Sequence, residues 1–163
     1  MRIYGITGWK NTGKTTLTER LVAAFVGRGL SVSTIKHAHH AVDVDQPGTD
    51  SFRHRSAGAG QVILASASRW ALMNEQRDAP EPTVEELIAR LDPVDIVLIE
   101  GYKTAPHPKI ETSREVAGRA LIAPNNPSIR AVAADYAAPT DLPVFDLDDV
   151  ESIADFIVKD TAS

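Results

Sequence analysis

Short apolar runs alternate with amphipathic stretches along the chain. The run at 2–7 is rich in β-forming residues and ends at Gly8, which predicts a buried first strand. Over 14–28, apolar residues recur at helical spacing, and Gly29 is placed to end that helix with a positive φ. Further strands are predicted at 31–36, 61–65, 69–73, 95–100, 109–113, 120–123 and 130–134.

Capping-box spacing precedes two more helices, which are expected to end near 91 and 159. The residues with that spacing are Thr83 with Glu86 and Asp148 with Glu151. Asp50 or Ser51 is expected to cap a short helix over 52–57, after a type II turn at 46–49.

The alternation of strands and helices predicts an α/β fold with a mostly parallel sheet flanked by helices. The segments 61–65 and 69–73 are expected to add an antiparallel hairpin as an extension. A length of 163 residues suits one domain, 1–163, with a core of ordinary size.

Composition and charge narrow the function classes. The sequence has no cysteine, which excludes disulfides and thiolate metal sites, and we expect a cytoplasmic protein. We find no signal-peptide pattern and no apolar run long enough for a membrane span. The net charge of −5 argues against a nucleic-acid partner. A protein of this charge that binds phosphates must concentrate its positive residues locally.

The segment 8–15 reads Gly-Trp-Lys-Asn-Thr-Gly-Lys-Thr and fits the P-loop motif G-x-x-x-x-G-K-[ST] without a gap. Glycines let backbone N–H groups curl toward phosphate oxygens, and the helix that follows adds the positive end of its dipole. The motif therefore predicts a nucleotide-binding, P-loop NTPase domain. Its candidate nucleotide-binding residues are Gly8, Trp9, Lys10, Asn11, Thr12, Gly13, Lys14, Thr15 and Thr16.

Within the motif, Lys14 is the residue expected to reach the β- and γ-phosphates. The Thr15 hydroxyl is expected to bind Mg²⁺, a hard cation that prefers oxygen ligands. Some relatives of this fold carry an extra lysine directly after the first glycine, but Trp9 takes that position here. Lys10 lies one place later, and either a phosphate contact or a solvent-exposed lysine explains it.

The segment 95–100, Asp-Ile-Val-Leu-Ile-Glu, has the form of a Walker B strand. An apolar strand buried on both faces would bring one carboxylate beside the P-loop. Glu100 is therefore the expected second magnesium ligand, directly or through water. The alternative is a buried strand that merely ends in an exposed acid.

Histidines and aspartates cluster after the second predicted strand, beginning with Ile-Lys-His-Ala-His-His at 35–40. A first hypothesis is a ligand loop, including His37, His39 and His40, in which a carboxylate orients water or metal near the γ-phosphate. A second is a transition-metal site, and a third is a solvated polar loop. Helical i, i+4 histidine spacing is missing, which weakens the metal hypothesis.

Several segments together resemble the molybdopterin-guanine dinucleotide biosynthesis adaptor protein (MobB) family. They are 8–16, 35–40, the Asp-Gln-Pro-Gly-Thr-Asp-Ser run at 45–51, Arg-Trp-Ala-Leu-Met at 69–73 and Glu-Gly-Tyr-Lys at 100–103. The resemblance runs through most of the chain, and the histidine and aspartate segments are more specific than the P-loop.

The resemblance implies a GTP-binding, dimeric protein with weak Mg²⁺-dependent GTPase activity in molybdenum cofactor biosynthesis. It implies a guanylyltransferase as partner, with molybdopterin as a candidate second ligand. In the implied mechanism Lys14 holds the phosphates, Thr15 and Glu100 hold Mg²⁺, and Asp45 or Asp50 senses the γ-phosphate.

The guanine-reading sequence N-K-x-D of GTPases is missing, so guanine specificity rests on the resemblance. Asp135 follows the predicted strand 130–134 and is a candidate base reader, since a carboxylate can accept hydrogen bonds from guanine; a turn residue is the alternative.

The rival functions are a small-molecule kinase and a nonhydrolysing metabolite-binding module. The basic residues after Glu100, namely Lys103, Lys109 and Arg114, are scattered along the sequence. Kinases of this fold use an arginine-rich lid, so this scatter favours the adaptor.

Overall fold

The computed structural model describes residues 1–38 and 43–162. Contacts divide the chain into two compact units, one of residues 1–37 with 84–163 and one of residues 38–83. The prediction of a single domain over 1–163 remains a prediction. No helix among the described residues has the length and hydropathy needed to cross a membrane.

The first unit is built on a parallel sheet. In the part of the chain that the structure describes, six strands pair in the order β2-β5-β1-β6-β7-β8, and each of these pairings is parallel. The strands are β1 Arg2–Gly8, β2 Val32–Lys36, β5 Ile96–Glu100, β6 Lys109–Ser113, β7 Ile129–Ala134 and β8 Val144–Asp146. The predicted α/β class with a mostly parallel sheet is confirmed.

Helices cover both faces of this sheet. They are α1 Lys14–Gly27, α3 Val84–Ile88 and α4 Val150–Asp160. On one face, Leu17 and Leu21 of α1 and Ile153 of α4 pack with Tyr4 of β1 in the main core. Neighbouring residues of β1 and β5 face the other way, where Val84 of α3 belongs to a second cluster. Strand β5 is apolar up to its last residue because both of its faces are buried.

The second unit holds α2 Asp50–Ser56 and a two-stranded antiparallel sheet of β3 Gln61–Ala65 and β4 Trp70–Asn74. The predicted hairpin is therefore confirmed, with Ile63 opposite Leu72 in its register. Gly48 has a φ of 91°, as the third residue of a type II turn requires.

Two predicted caps are wrong by one residue. The side chain of Thr49, not Asp50 or Ser51, accepts the N–H of Phe52 and caps α2. Asp149, not Asp148, accepts the N–H of Ser152 and caps α4. In both places neighbouring residues could cap equally well, and the packing of the helix decides which one does.

Helix α3 is also shorter than predicted, because it ends at Ile88 and turns follow to Leu91. The short strand β8, Val144–Asp146, was missed by the sequence analysis; it has few residues and lies at the sheet edge, beyond β7.

The predicted strand at 120–123 does not form. Its backbone instead bends around Glu111 of β6, which is fully buried. The Glu111 carboxylate accepts the N–H of Ile122, at 2.8 Å and 3.0 Å to its two oxygens, and the N–H of Ala123 at 2.9 Å. Burial raises the pKa of Glu111, and these hydrogen bonds oppose that rise. The N–H groups of Ile122 and Ala123 thus donate to this carboxylate, and not to the carbonyl groups of a neighbouring strand.

Two titratable side chains are packed beside β1. Nζ of Lys109 donates to the carbonyls of Ala105 and His107 and, at 3.0 Å, to Oγ of Ser128. Both ring nitrogens of His107 are buried and, within the described residues, have no hydrogen-bond partner. Burial, with a smaller effect of the Lys109 charge, lowers the pKa of His107 to about 4.

We predict that replacing Glu111 by Ala destabilises the first unit by about 2–3 kcal/mol, because two partly buried N–H groups lose their buried acceptor. The loss should appear in urea unfolding and as faster amide exchange at Ile122 and Ala123. Glu115→Ala, an exposed acid nearby, is the matched control. Equal stability of the two variants would contradict the bracing role of Glu111.

We predict that His107 makes the protein acid-sensitive between pH 6.5 and about 4, the range between its ordinary and its folded pKa. There the unfolded chain binds a proton that the folded chain refuses, so stability falls as pH falls. The loss should be on the order of 1–2 kcal/mol after allowance for partial exposure.

His107→Leu should flatten this part of the pH profile, measured by urea unfolding at several pH values. His54→Leu, at an exposed position of α2, should leave the profile unchanged. The same acid-dependent loss in His107→Leu as in the native chain would refute the assignment.

Candidate functional site

The loop between β1 and α1 has the curled shape that its glycines predict. Backbone φ is positive at Gly8, Asn11 and Gly13, at 142°, 64° and 96°. A Cβ on Gly8 would lie 2.5 Å from the carbonyl oxygen of Thr112, so the close approach to β6 admits only glycine. Helix α1 begins at Lys14 directly after this loop, which leaves the N–H groups of its first turn available to an anion.

Buried threonines hold the loop in place. Oγ1 of Thr12 donates to the carbonyl of Trp9 at 2.8 Å and lies 2.8 Å from Oγ1 of Thr112. The Thr112 hydroxyl in turn donates to the carbonyl of Thr7 at 3.2 Å. The loop is therefore fastened to β6 as well as to its own strand, and its curl is preformed.

A cavity of about 470 Å³ opens above this loop, within the usual size range of ligand sites. It is lined by Lys10, Asn11, Thr12, Gly13, Lys14, Thr15, Thr16, Glu100 and Arg114. A larger cavity, of about 730 Å³, lies near Pro127 and Asp160, but it has no glycine loop or helix start to receive a phosphate.

The ammonium of Lys14 folds back over the loop and donates to the carbonyl of Trp9 at 2.6 Å. Burial lowers its pKa; the nearby Glu100 opposes this shift, and Lys103 and Lys36 add to it. The lysine side chain is thus held at the cavity by a neutral acceptor that an anionic ligand can outcompete.

The predicted magnesium ligands lie together. Oγ1 of Thr15 donates to Oε1 of Glu100 at 2.9 Å, and the Glu100 side chain is only 9% exposed. The ammonium of Lys36 lies 3.2 Å from the same carboxylate oxygen and 3.3 Å from Oγ1 of Thr15. Hard oxygen donors beside a position that already holds a positive charge fit a magnesium ion.

Arg114 is a cavity residue that the sequence analysis did not assign to the site. Its guanidinium lies against Gly13 and forms an ion pair with Asp135, at 3.6 Å. Asp135 also accepts the N–H of Glu115 at 2.9 Å. Asp135 thus lies at the carboxyl edge of the sheet, as predicted, but its carboxylate contacts protein groups, and base reading by this residue stays a prediction.

Arg114 and Lys36 could have been found from the sequence. Arg114 directly follows the predicted strand 109–113, and Lys36 is the last residue of the predicted strand 31–36. The carboxyl ends of parallel strands meet at the edge of the sheet where ligands bind. Each residue lies at that edge beside the glycine loop.

Trp9 anchors the loop from outside. Its indole N–H donates to the carbonyl of Ala120 at 2.8 Å, and the ammonium of Lys103 lies 4.4 Å from the ring centroid. Arg119 approaches the same ring at 6.0 Å. A tryptophan in a phosphate loop is explained by this bracing, and Lys10 beside it lines the cavity, so both interpretations of Lys10 remain open.

The basic residues considered for a kinase lid have separate surroundings. Lys109 is fully buried and bonded to carbonyls, Lys103 lies over Trp9, and only Arg114 lines the cavity. This arrangement differs from an arginine-rich lid.

The histidine segment is described in part. The His37 ring stacks on Tyr102, with centroids 4.5 Å apart, and His37 packs against Gly101, where a Cβ would lie 2.9 Å from its own Cβ. His39 and His40 lie outside the described residues. Among the residues that are described, no group of His, Asp and Glu has the arrangement of a metal site.

The two candidate γ-phosphate sensors differ in their surroundings. The Asp45 carboxylate is nearly buried and accepts from the hydroxyls of Thr49 at 3.0 Å and Ser51 at 2.9 Å. Burial alone would raise its pKa, but these bonds and Arg55 hold it below its usual range. Asp50 is exposed at the start of α2. The sensing role stays a prediction for both.

Comparison with known proteins shows the family. The family model described as "Molybdopterin guanine dinucleotide synthesis protein B" (MobB) matches residues 3–135. The chain is 41% identical over 162 residues to the molybdopterin-guanine dinucleotide biosynthesis adapter protein of Escherichia coli K12, covering 96% of this chain and 91% of that protein. A protein of the same name from Haemophilus influenzae is 40% identical over 158 residues, covering 95% and 86%.

Solved structures agree. The Bacillus subtilis MobB structure matches with a TM-score of 0.75 and 25% identity, covering 99% of this chain and 98% of that one. A MobB homolog from Bacillus stearothermophilus matches with a TM-score of 0.71 and 27% identity, covering 99% of each chain. Because the family model spans most of the chain and two relatives are about 40% identical over nearly all of it, this protein belongs to the MobB family.

Proposed function

We propose that this chain is a GTP-binding adapter in molybdopterin-guanine dinucleotide biosynthesis, with slow Mg²⁺-dependent GTP hydrolysis. The adapter role comes from the names of its relatives in Escherichia coli and Haemophilus influenzae. Its partner in this proposal is the guanylyltransferase that makes the dinucleotide, with molybdopterin as a candidate second ligand.

The observation that carries nucleotide binding is the curled loop that runs straight into α1. Its positive φ values give the backbone curl that typically points successive N–H groups at a bound anion, and Lys14 lines the cavity beside the helix start. A terminal phosphate bound there would receive backbone hydrogen bonds, the helix dipole and one ammonium.

The residues present suggest how a nucleotide would be held. Lys14 would exchange its hydrogen bond to the Trp9 carbonyl for a stronger one to the β- and γ-phosphates. Thr15 and Glu100 would hold Mg²⁺, which supplies charge neutralisation on the phosphate oxygens. Arg114 is the guanidinium that lines the cavity, and Asp135 orients it.

Guanine selectivity is the part of the proposal that rests on the family name. A dinucleotide containing guanine is the product named for the relatives, so a guanine nucleotide is the ligand that suits such an adapter. Asp135 remains the candidate base reader because it directly follows β7 and lies near Arg114.

We predict that Lys14→Ala weakens GTP binding at least about 100-fold, since a charged hydrogen bond to two phosphates is lost. Isothermal calorimetry with GTP and Mg²⁺ measures the change, and ATP competition tests base preference. Lys159→Ala, in the last turn of α4, is the control for loss of one lysine charge. Unchanged GTP affinity in Lys14→Ala would contradict the assignment of the glycine loop at 8–15 as the phosphate-binding cradle. Equal ATP and GTP affinities would contradict the guanine preference.

The hairpin supports the proposal that the protein is a homodimer. Ile63, Trp70 and Leu72 share one face of β3 and β4, and they are 64%, 67% and 41% exposed. A two-stranded sheet with an uncovered apolar face is marginally stable in water. A second copy would present the same face and could cover it by two-fold symmetry.

We predict that Trp70→Glu shifts the protein from dimer to monomer at micromolar concentration, because two buried carboxylates would face each other across the interface. Sedimentation velocity measures the mass. Val116→Glu, at an 89% exposed position of the first unit, is the control. A native chain that is monomeric, or a Trp70→Glu chain that remains dimeric, would contradict the hairpin interface.

A further inference from the structure

Lys36 is the last residue of β2, and its positive charge lies where a metal cation is expected to bind. Strand β2 pairs with β5 so that Lys36 is directly opposite Glu100. Its ammonium contacts both predicted magnesium ligands, at 3.2 Å to Oε1 of Glu100 and 3.3 Å to Oγ1 of Thr15. A cationic side chain therefore lies beside the oxygens that are expected to hold a cation.

The contact has an electrostatic reason. Glu100 is almost buried at the end of a strand with both faces covered, and a buried carboxylate without a partner is costly. The Thr15 hydroxyl gives it one hydrogen bond, and Lys36 supplies the opposite charge. The Lys36 side chain is itself 57% exposed, so little packing ties it to this position.

Lys36 also belongs to the electrostatic surroundings of Lys14. Burial is the largest cause of the lowered pKa of Lys14, and repulsion from the charges of Lys103 and Lys36 adds to it. A bound triphosphate would relieve that repulsion, since several anionic oxygens would then lie among these cations.

We propose that Lys36 is a built-in substitute for the divalent cation: when no metal is present, its ammonium stays on Glu100 and Thr15 and also binds a phosphate oxygen, and it leaves this position when the magnesium nucleotide binds. This inference rests on the proposed function, because it concerns the same cradle. It adds a consequence, namely that the metal-free nucleotide complex keeps much of its affinity.

Lys36 and Mg²⁺ would compete for the same two oxygen atoms. An ammonium and a magnesium ion cannot share the contacts of Glu100 Oε1 and Thr15 Oγ1, since the metal needs those oxygens at about 2.1 Å. Without metal, Lys36 keeps its contacts with Glu100 and Thr15 and still has a third N–H group for a phosphate oxygen. With metal, the flexible lysine stem lets the charge leave without disturbing β2.

The test is the Lys36→Met variant, which keeps the length of the side chain and removes the charge. GTP affinity is measured by calorimetry for the native chain and the variant, once with Mg²⁺ and once with EDTA. Lys159→Met is the matched control, since it removes one lysine charge from the last turn of α4.

We expect Lys36→Met to weaken GTP binding in EDTA by about tenfold or more, the loss of one charged hydrogen bond, while affinity with Mg²⁺ changes by less than about threefold. The ratio of the two affinities separates this role from a structural one, because a misfolded variant would lose both. Lys159→Met should keep the native ratio.

The outcomes distinguish the inference from the function on which it rests. If the native chain binds no GTP in either buffer, the nucleotide-binding proposal itself fails. If the native chain binds GTP but Lys36→Met keeps its EDTA-to-Mg²⁺ ratio within about twofold, or loses both affinities equally, the inference about Lys36 is overturned while the cradle stands.

Discussion

The close approach of Gly8 to Thr112 is the contact on which the rest of the site depends. Strand β1 lies between β5 and β6 in the sheet, so its end is fixed on both sides before the glycine loop begins. There is no room for a Cβ where the backbones of Gly8 and Thr112 approach each other, and the hydroxyls of Thr12 and Thr112 are hydrogen-bonded beside this contact. The curl of the loop is therefore a property of the sheet, and α1 begins where that curl ends.

The parallel sheet also determines where the basic residues collect. The chain carries a net charge of −5, yet lysines and an arginine gather where parallel strands end beside the loop. Acidic partners hold these cations in place: Glu100 contacts Lys36, and Asp135 contacts Arg114. An acidic protein can in this way present a local positive field to a phosphate without becoming a general anion binder.

Two side chains, the exposed Trp9 and the buried Glu111, fix the surrounding loops. Trp9 ties the glycine loop to the carbonyl of Ala120, and Glu111 holds the N–H groups of Ile122 and Ala123. Both anchors act on one segment after β6, so that segment and the glycine loop support each other.

The sequence by itself determined the strands that are apolar on both faces, the glycine loop, the first helix and the hairpin, because each depends on local pattern and backbone freedom. It also placed Thr15 and Glu100 at one edge. Only the tertiary structure decided that 120–123 wraps a buried carboxylate instead of forming a strand. It also decided which of the strand-end residues that the sequence offers, Lys36 and Arg114 among them, lie beside the glycine loop. Those outcomes depend on which strands become neighbours, and strand order is set by packing across the whole sheet, which no local pattern records.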